Sequence, residues 1–407
     1  MSTLTWLDSS ERERRSVLEL VSALNEPGTL DELGIGTIRD TIADNLFPGT
    51  STIQTRARYF LFIPWILQIV EGGSPRGAED RARRLQMQLR DALIMAHGTD
   101  ERGVIGVAAG ASLQRWPLDI YWLGMARWGI RRHPGSISAY FASLVRPSPW
   151  RLLGRALDEP VEGRREEAVD SLTGNWAPIP PPPDNFPEVA SFTLTADEAR
   201  FLRERVVLTH PYSYLAHILQ TSEGIEAYSA TRPWDHPRAH TAPLSVRKWL
   251  YDARLFSLIH QGAVLLYNLM LARKLDNEDD IEQFSTSLAT WTGAIVNAGP
   301  DLERWNRPSM WERLLQANPR LHPRTLEFAD HWYDLTSIQD GGSIADSAEA
   351  QRLIQERERV LKGSRARLTY AEARDRRRGF PTSERLEFRW TQVQRITSDI
   401  MLALGQR

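Results

Sequence analysis

The chain has 407 residues, 42% hydrophobic and 25% charged, with a formal net charge of -2, a balance that is ordinary for a globular protein of two or more domains and does not make disorder the default. It contains no cysteine, which excludes disulfides, thiolate zinc sites, cysteine-ligated iron–sulfur clusters and cysteine nucleophiles. With 52 acidic against 50 basic residues there is no overall basic excess, so any nucleic-acid contact has to rest on a local cluster.

The N-terminal stretch MSTLTWLDSSERERR is polar and of mixed charge, without the apolar segment of a secretory signal. No window holds the roughly 18 apolar residues of a membrane span, so a cytoplasmic protein with no membrane partner is expected. Apolar Val17, Leu18, Leu20, Val21 and Leu24 predict an amphipathic helix over Ser9 to Leu24. Ile38, Ile42, Ala43 and Leu46 predict a second, short helix, which Pro48-Gly49 stops. Thr50 or Ser51 can then cap a helix running through Val70, with Pro64 inside it. Helical periods follow over residues 80–96, 114–130 and 136–144.

WAPIPPPPDNFPEV, residues 176–189, favours an extended connector that cannot continue a helix. Beyond it, Thr195 and Glu198 form a capping-box signature for a helix from Ala196 to about Leu208, and YSYLAHILQ starts another. Residues 244–275 are the longest periodic stretch, and further helices are predicted near 278–297, 309–317, 323–335, 346–362 and 385–404. Strand signals are few. The expected architecture is mainly α and multi-helical: an N-terminal helical domain over 1–175, a proline-rich linker over 176–189 and a C-terminal helical domain over 190–407 that ends in a basic segment.

GIGTIRD lacks both the third glycine and the preceding strand of a dinucleotide fingerprint. His236 and His240, and His210 and His217, have helical spacing, but Pro237 and Pro211 interrupt the pairs, so no metal site is expected. Ser245 to Lys248 matches S-x-x-K without companion motifs, no nucleophile elbow or kinase signature is present, and no cofactor motif is found. Catalytic residues are not identifiable from these patterns.

Two stretches suit anions. The short helix, turn and polar start TSTIQTRAR resemble a helix-turn-helix, with Thr50, Ser51, Thr52, Gln54, Thr55, Arg56 and Arg58 as groove readers or phosphate clamps. Against this, Arg56 and Arg58 diverge by roughly 200° on a helix, and the apolar remainder reads as core. The competing reading is a capped core helix. Near the C-terminus, Arg365, Arg367, Arg376, Arg377 and Arg378 head a basic run interleaved with Tyr370, Phe380, Phe388 and Trp390, as phosphate contact with base stacking would require. A solvated helix face with a basic loop is the alternative.

Residues 33–66, together with Trp6-Leu7-Asp8 and HQGAVLLYNLMLA at 260–272, resemble the bacterial DUF6361 family, a domain of unknown function, over nearly the whole chain. The resemblance carries no catalytic residue; relatives encoded near helicase-like and nuclease-like genes in anti-phage loci imply a defence role linked to nucleic acid. The expected function is therefore a non-catalytic nucleic-acid-binding or scaffold subunit of a bacterial multi-protein system, with DNA ahead of RNA as partner and other protein subunits alongside. The alternatives are a protein-interaction module using tryptophan-rich surfaces, and a hydrolase or nuclease with a spatially assembled site.

Overall fold

The longest predicted helix, 244–275, forms as a single helix of 32 residues in the computed structural model, which describes residues 31–99, 103–107, 113, 115–145, 174–221, 230–337 and 344–405. The helix predicted over Ser9 to Leu24 lies outside the described residues. The described chain is mainly α, with fourteen α-helices and no strand among the described residues.

In chain order these are α1 (Gly36–Leu46), α2 (Tyr59–Glu71), α3 (Ala78–His97), α4 (Pro117–Arg127), α5 (Ile137–Val145), α6 (Ala196–Thr209) and α7 (Tyr214–Thr221). There follow α8 (Leu244–Leu275), α9 (Glu278–Arg304), α10 (Arg307–Ala317), α11 (Pro323–Ser337), α12 (Ala348–Lys362), α13 (Ala371–Arg376) and α14 (Trp390–Gly405). By length and composition α8 could cross a membrane, but 89% of its apolar window is buried by the protein's own packing, as in a core helix. The capping box at Thr195 and Glu198 forms in both directions and starts α6 where the sequence puts it.

The described chain divides into two compact units, one of residues 31–41 with 252–386, the other of 42–251 with 387–405. The proline-rich stretch 176–189 lies within the second unit, so the unit boundaries do not follow the division expected there. Its prolines offer carbonyls but no N–H, and one of those carbonyls, Pro180 O, accepts the Trp65 indole N–H from α2 at 2.7 Å. Phe186 stacks on Phe62 of the same helix at 5.7 Å between ring centroids. The stretch is thus a strap over α2.

In the second unit α2 is buried along almost its whole length, from Tyr59 to Leu67 and at Val70, and packs on α3 and α4. Phe60 stacks on Trp128 at 3.8 Å and meets Tyr121 edge-on at 4.9 Å. Helix α14 packs on α6 and α7, where the Trp390 ring lies parallel to Tyr214.

In the first unit, the polar side chains of α8 hold an extended segment. Ser257 Oγ donates to Leu386 O, Gln261 Nε2 to Ser383 O and Asn268 Nδ2 to Pro381 O. These three positions follow helical spacing, so one stripe of the helix satisfies the carbonyls of residues 381–386. On another side, the indole N–H groups of Trp291 and Trp332 reach Leu258 O and Ile259 O, at 2.7 and 2.8 Å. Gly262 is four residues after Leu258, where a side chain would flank that carbonyl, and a Cβ there would collide with the Trp291 ring.

Gly262→Ala should therefore destabilise the protein by about 1–2 kcal/mol, although alanine is the better helix former. Gly293→Ala in α9, where a Cβ meets nothing within 4 Å, should instead gain up to about 1 kcal/mol. Urea denaturation followed by tryptophan fluorescence measures both.

Candidate functional site

The polar stretch at 50–58 is not the start of a helix. Helix α2 begins only at Tyr59, because the N–H groups that a helix would use internally have partners elsewhere. The Tyr121 hydroxyl accepts from the N–H of Thr55 at 2.8 Å and of Arg56 at 3.1 Å, and donates to Arg56 O at 2.9 Å. Ala57 N–H donates to Asp399 Oδ2 at 2.9 Å, and Ser51 N–H to Gln54 Oε1 at 3.1 Å. The expected helix from Thr50 or Ser51 and the helix-turn-helix resemblance are corrected accordingly, since residues 47–58 separate α1 from α2.

The same stretch turns its side chains inward. Thr50 and Gln54 are buried on backbone carbonyls, Thr50 Oγ1 on Phe47 O and Gln54 Nε2 on Gly49 O. Thr55 Oγ1 donates to Gly103 O, Ser51 is half-buried, and Thr52 is exposed. Arg56 pairs with Asp399 through Nε and Nη2, at 3.0 and 2.9 Å, and lies over the Phe192 ring. Burial pushes the Asp399 carboxyl up, while the Arg56 guanidinium and the Ala57 N–H pull it back down. Arg58, only 6% exposed, donates to Glu198 Oε1 at 2.7 Å and to Ser191 O at 2.9 Å. These two arginines hold internal carboxylates.

The C-terminal candidates separate into two groups. Arg367 is 2% exposed; its Nη2 donates to Gly379 O and its backbone N–H to Glu358 Oε1. Glu358, fully buried, also accepts from Leu368 N–H and from the Tyr267 hydroxyl at 2.7 Å. Burial, with the Glu32 and Glu358 carboxylates, raises the Tyr267 phenol far above its ordinary range and keeps it a donor. Arg377 is half-exposed and pairs with the buried Glu32 at 2.8 Å, while Lys362 approaches the same carboxylate at 3.5 Å.

Arg365, Arg376 and Arg378 are exposed, and no ion pair to them is found among the described residues. From residue 359 to 378 there are eight basic residues against two acidic ones. Of the interleaved aromatics, Phe388 and Trp390 are buried, Phe380 packs on Phe284 at 4.8 Å, and Tyr370 is 40% exposed. The surface that survives from the sequence candidates is this basic loop with one aromatic ring.

The histidine pairs do not converge. His210 Nε2 donates to Arg127 O, His217 Nε2 faces Arg238 O, and His236 Nδ1 accepts from Arg238 N–H. Among the described residues no group of three or more histidines and carboxylates is arranged to hold a metal ion. Glu32, Glu358 and Tyr267 were not legible from the chain, because a buried acid and the groups it serves have no local spacing signature.

Arg58→Ala strands the buried Glu198 charge and should cost about 3–5 kcal/mol, whereas Arg365→Ala should stay within about 0.5 kcal/mol in the same denaturant titration. His260 is buried against Phe256, and its pKa is pushed down to about 4 by burial, with Arg39 adding to the effect and Asp31 opposing it. Since its folded pKa lies below the unfolded one, its contribution is complete above about pH 6.5 and lost as pH falls toward 4. That loss should reach about 3 kcal/mol, and His260→Gln should flatten stability against pH over this window.

No curated protein and no solved structure matches the chain. Residues 1–153 and 166–403 match the model of a family described as DUF6361, a family of unknown function. With nearly its whole length covered by that match, the chain belongs to the DUF6361 family.

Proposed function

We propose that this chain is a non-catalytic nucleic-acid-binding subunit of a bacterial multi-protein system, cytoplasmic, with DNA as its polymer and the basic loop of residues 359–378 as its contact surface. The observation that carries the reading is the exposure of Arg365, Arg376 and Arg378 without an ion-pair partner among the described residues, in a segment of eight basic and two acidic residues. Exposed guanidinium groups with no carboxylate to neutralise them are free to replace the counterions of a phosphate backbone. Arg56, Arg58 and Arg367 are left out of the contact surface, because each is already held by internal acceptors.

A role in anti-phage defence belongs to the same proposal and rests on the family resemblance alone. The protein-interaction alternative would rest on Trp116, Trp234, Trp249 and Trp311, which are half-buried, since the other described tryptophans are buried.

The test is binding of labelled DNA by fluorescence anisotropy across a salt series. The wild-type affinity should fall with salt at a slope of about 0.7–0.9 per phosphate neutralised. Replacing Arg365, Arg376 and Arg378 together by alanine should lower that slope by about two while leaving thermal stability unchanged. Arg377 is kept in this variant because its loss would weaken the neutralisation of buried Glu32. Affinity that does not respond to salt, or a slope that the triple variant leaves intact, would overturn the proposal.

A further inference from the structure

The basic loop has a feature that charge alone does not require. Tyr370 sits in the middle of it, 40% exposed, in extended backbone at the start of α13, with its N–H bonded to Ala366 O at 2.9 Å. It is the only aromatic residue between positions 359 and 378. Arg359, at the end of α12, is held by Glu356 through Nε and Nη2 at 2.9 and 2.7 Å, which leaves Arg365, Arg376 and Arg378 as the cations open to a ligand. Glu32 further draws the two ends of the loop together, since Lys362 and Arg377 both approach its carboxylate. Along the chain Tyr370 is thus flanked by exposed Arg365 on one side and by exposed Arg376 and Arg378 on the other.

A duplex would make little use of this arrangement. Its bases are stacked on one another, their faces are hidden, and a protein reads it by placing a helix or ribbon in a groove. Helix α13 has six residues, less than two turns, and is no recognition helix. A single strand offers unstacked base faces and a flexible backbone, and an aromatic platform flanked by arginines matches both.

Resting on the nucleic-acid reading above, we infer that the loop of residues 359–378 takes single-stranded nucleic acid, with a base stacked on Tyr370 and the flanking phosphates on Arg365, Arg376 and Arg378. The preference is independent of base identity, because every base has a π-face.

Anisotropy with fluorescein-labelled oligothymidylate of about 20 nucleotides, and with a duplex of the same length, tests the assignment. The single strand should bind at least about tenfold more tightly than the duplex. Tyr370→Ala should weaken oligothymidylate binding by about fivefold or more, with duplex binding unchanged, while Tyr370→Phe keeps the affinity and Tyr370→Trp raises it. If salt-sensitive binding persists and depends on Arg365, Arg376 and Arg378, but Tyr370→Ala and Tyr370→Trp bind oligothymidylate as the wild type does, the stacking assignment is wrong and the nucleic-acid reading stands. If neither probe binds in a salt-dependent way, the nucleic-acid reading fails and this inference fails with it.

Discussion

A guanidinium that is only 6% exposed has to be neutralised where it lies, and the Arg58–Glu198 pair sets that constraint for the second unit. Glu198 already serves as the third residue of the capping box, accepting the Thr195 N–H with Oε2, so Oε1 remains for Arg58. The start of α6 and the approach to α2 are therefore fixed by one carboxylate. Two residues earlier, Arg56 and the Ala57 N–H converge on Asp399 of α14 in the same manner. Polar groups that look from the sequence like an anion-binding turn are instead the means by which a buried helix is fastened to its neighbours.

Arginine does this work throughout, and often against backbone rather than carboxylate. Arg357 reaches Leu33 O, Gly34 O and Arg324 O as well as the Thr325 hydroxyl. Arg205 spans Trp128 O and Gly129 O, and Arg81 reaches Val70 O and Arg76 O. Five donors on a rigid planar fork can bind several carbonyls at once, which an ammonium on a flexible stem does less well. A mainly α protein has many carbonyls at helix ends and in turns that need donors, and the arginine-rich composition supplies them. Tryptophan has a parallel use. Trp65, Trp128, Trp291, Trp332 and Trp390 are buried, and each gives its indole N–H to a main-chain carbonyl.

Against that background the exposed arginines of the 359–378 loop stand apart. The segment contains both classes within a few residues: Arg367 is buried with its Nη2 on Gly379 O, whereas Arg365 and Arg376 face solvent. Local sequence does not distinguish them, since all are arginines in a polar, basic run. What separates them is the presence of a buried acceptor within reach.

Helix positions were legible from the chain because they depend on local rules. The periodicity of residues 244–275 and the Thr195 capping box place α8 and α6 within a residue or so of their observed bounds. The stretch 50–58 has the polar pattern of a capped helix start but is not helical, because N–H groups of Thr55 and Ala57 go to Tyr121 and to Asp399, the latter 342 residues from Ala57 in the chain. Prolines dictate extended backbone over 176–189, but only packing lays part of that stretch along α2. The sequence by itself determined the mainly α character, the absence of thiol chemistry and the local basic excess, all properties of composition and short-range spacing. The tertiary structure alone decided which arginines are exposed, because that depends on long-range pairing with carboxylates such as Glu198, Asp399 and Glu32, which no local pattern encodes.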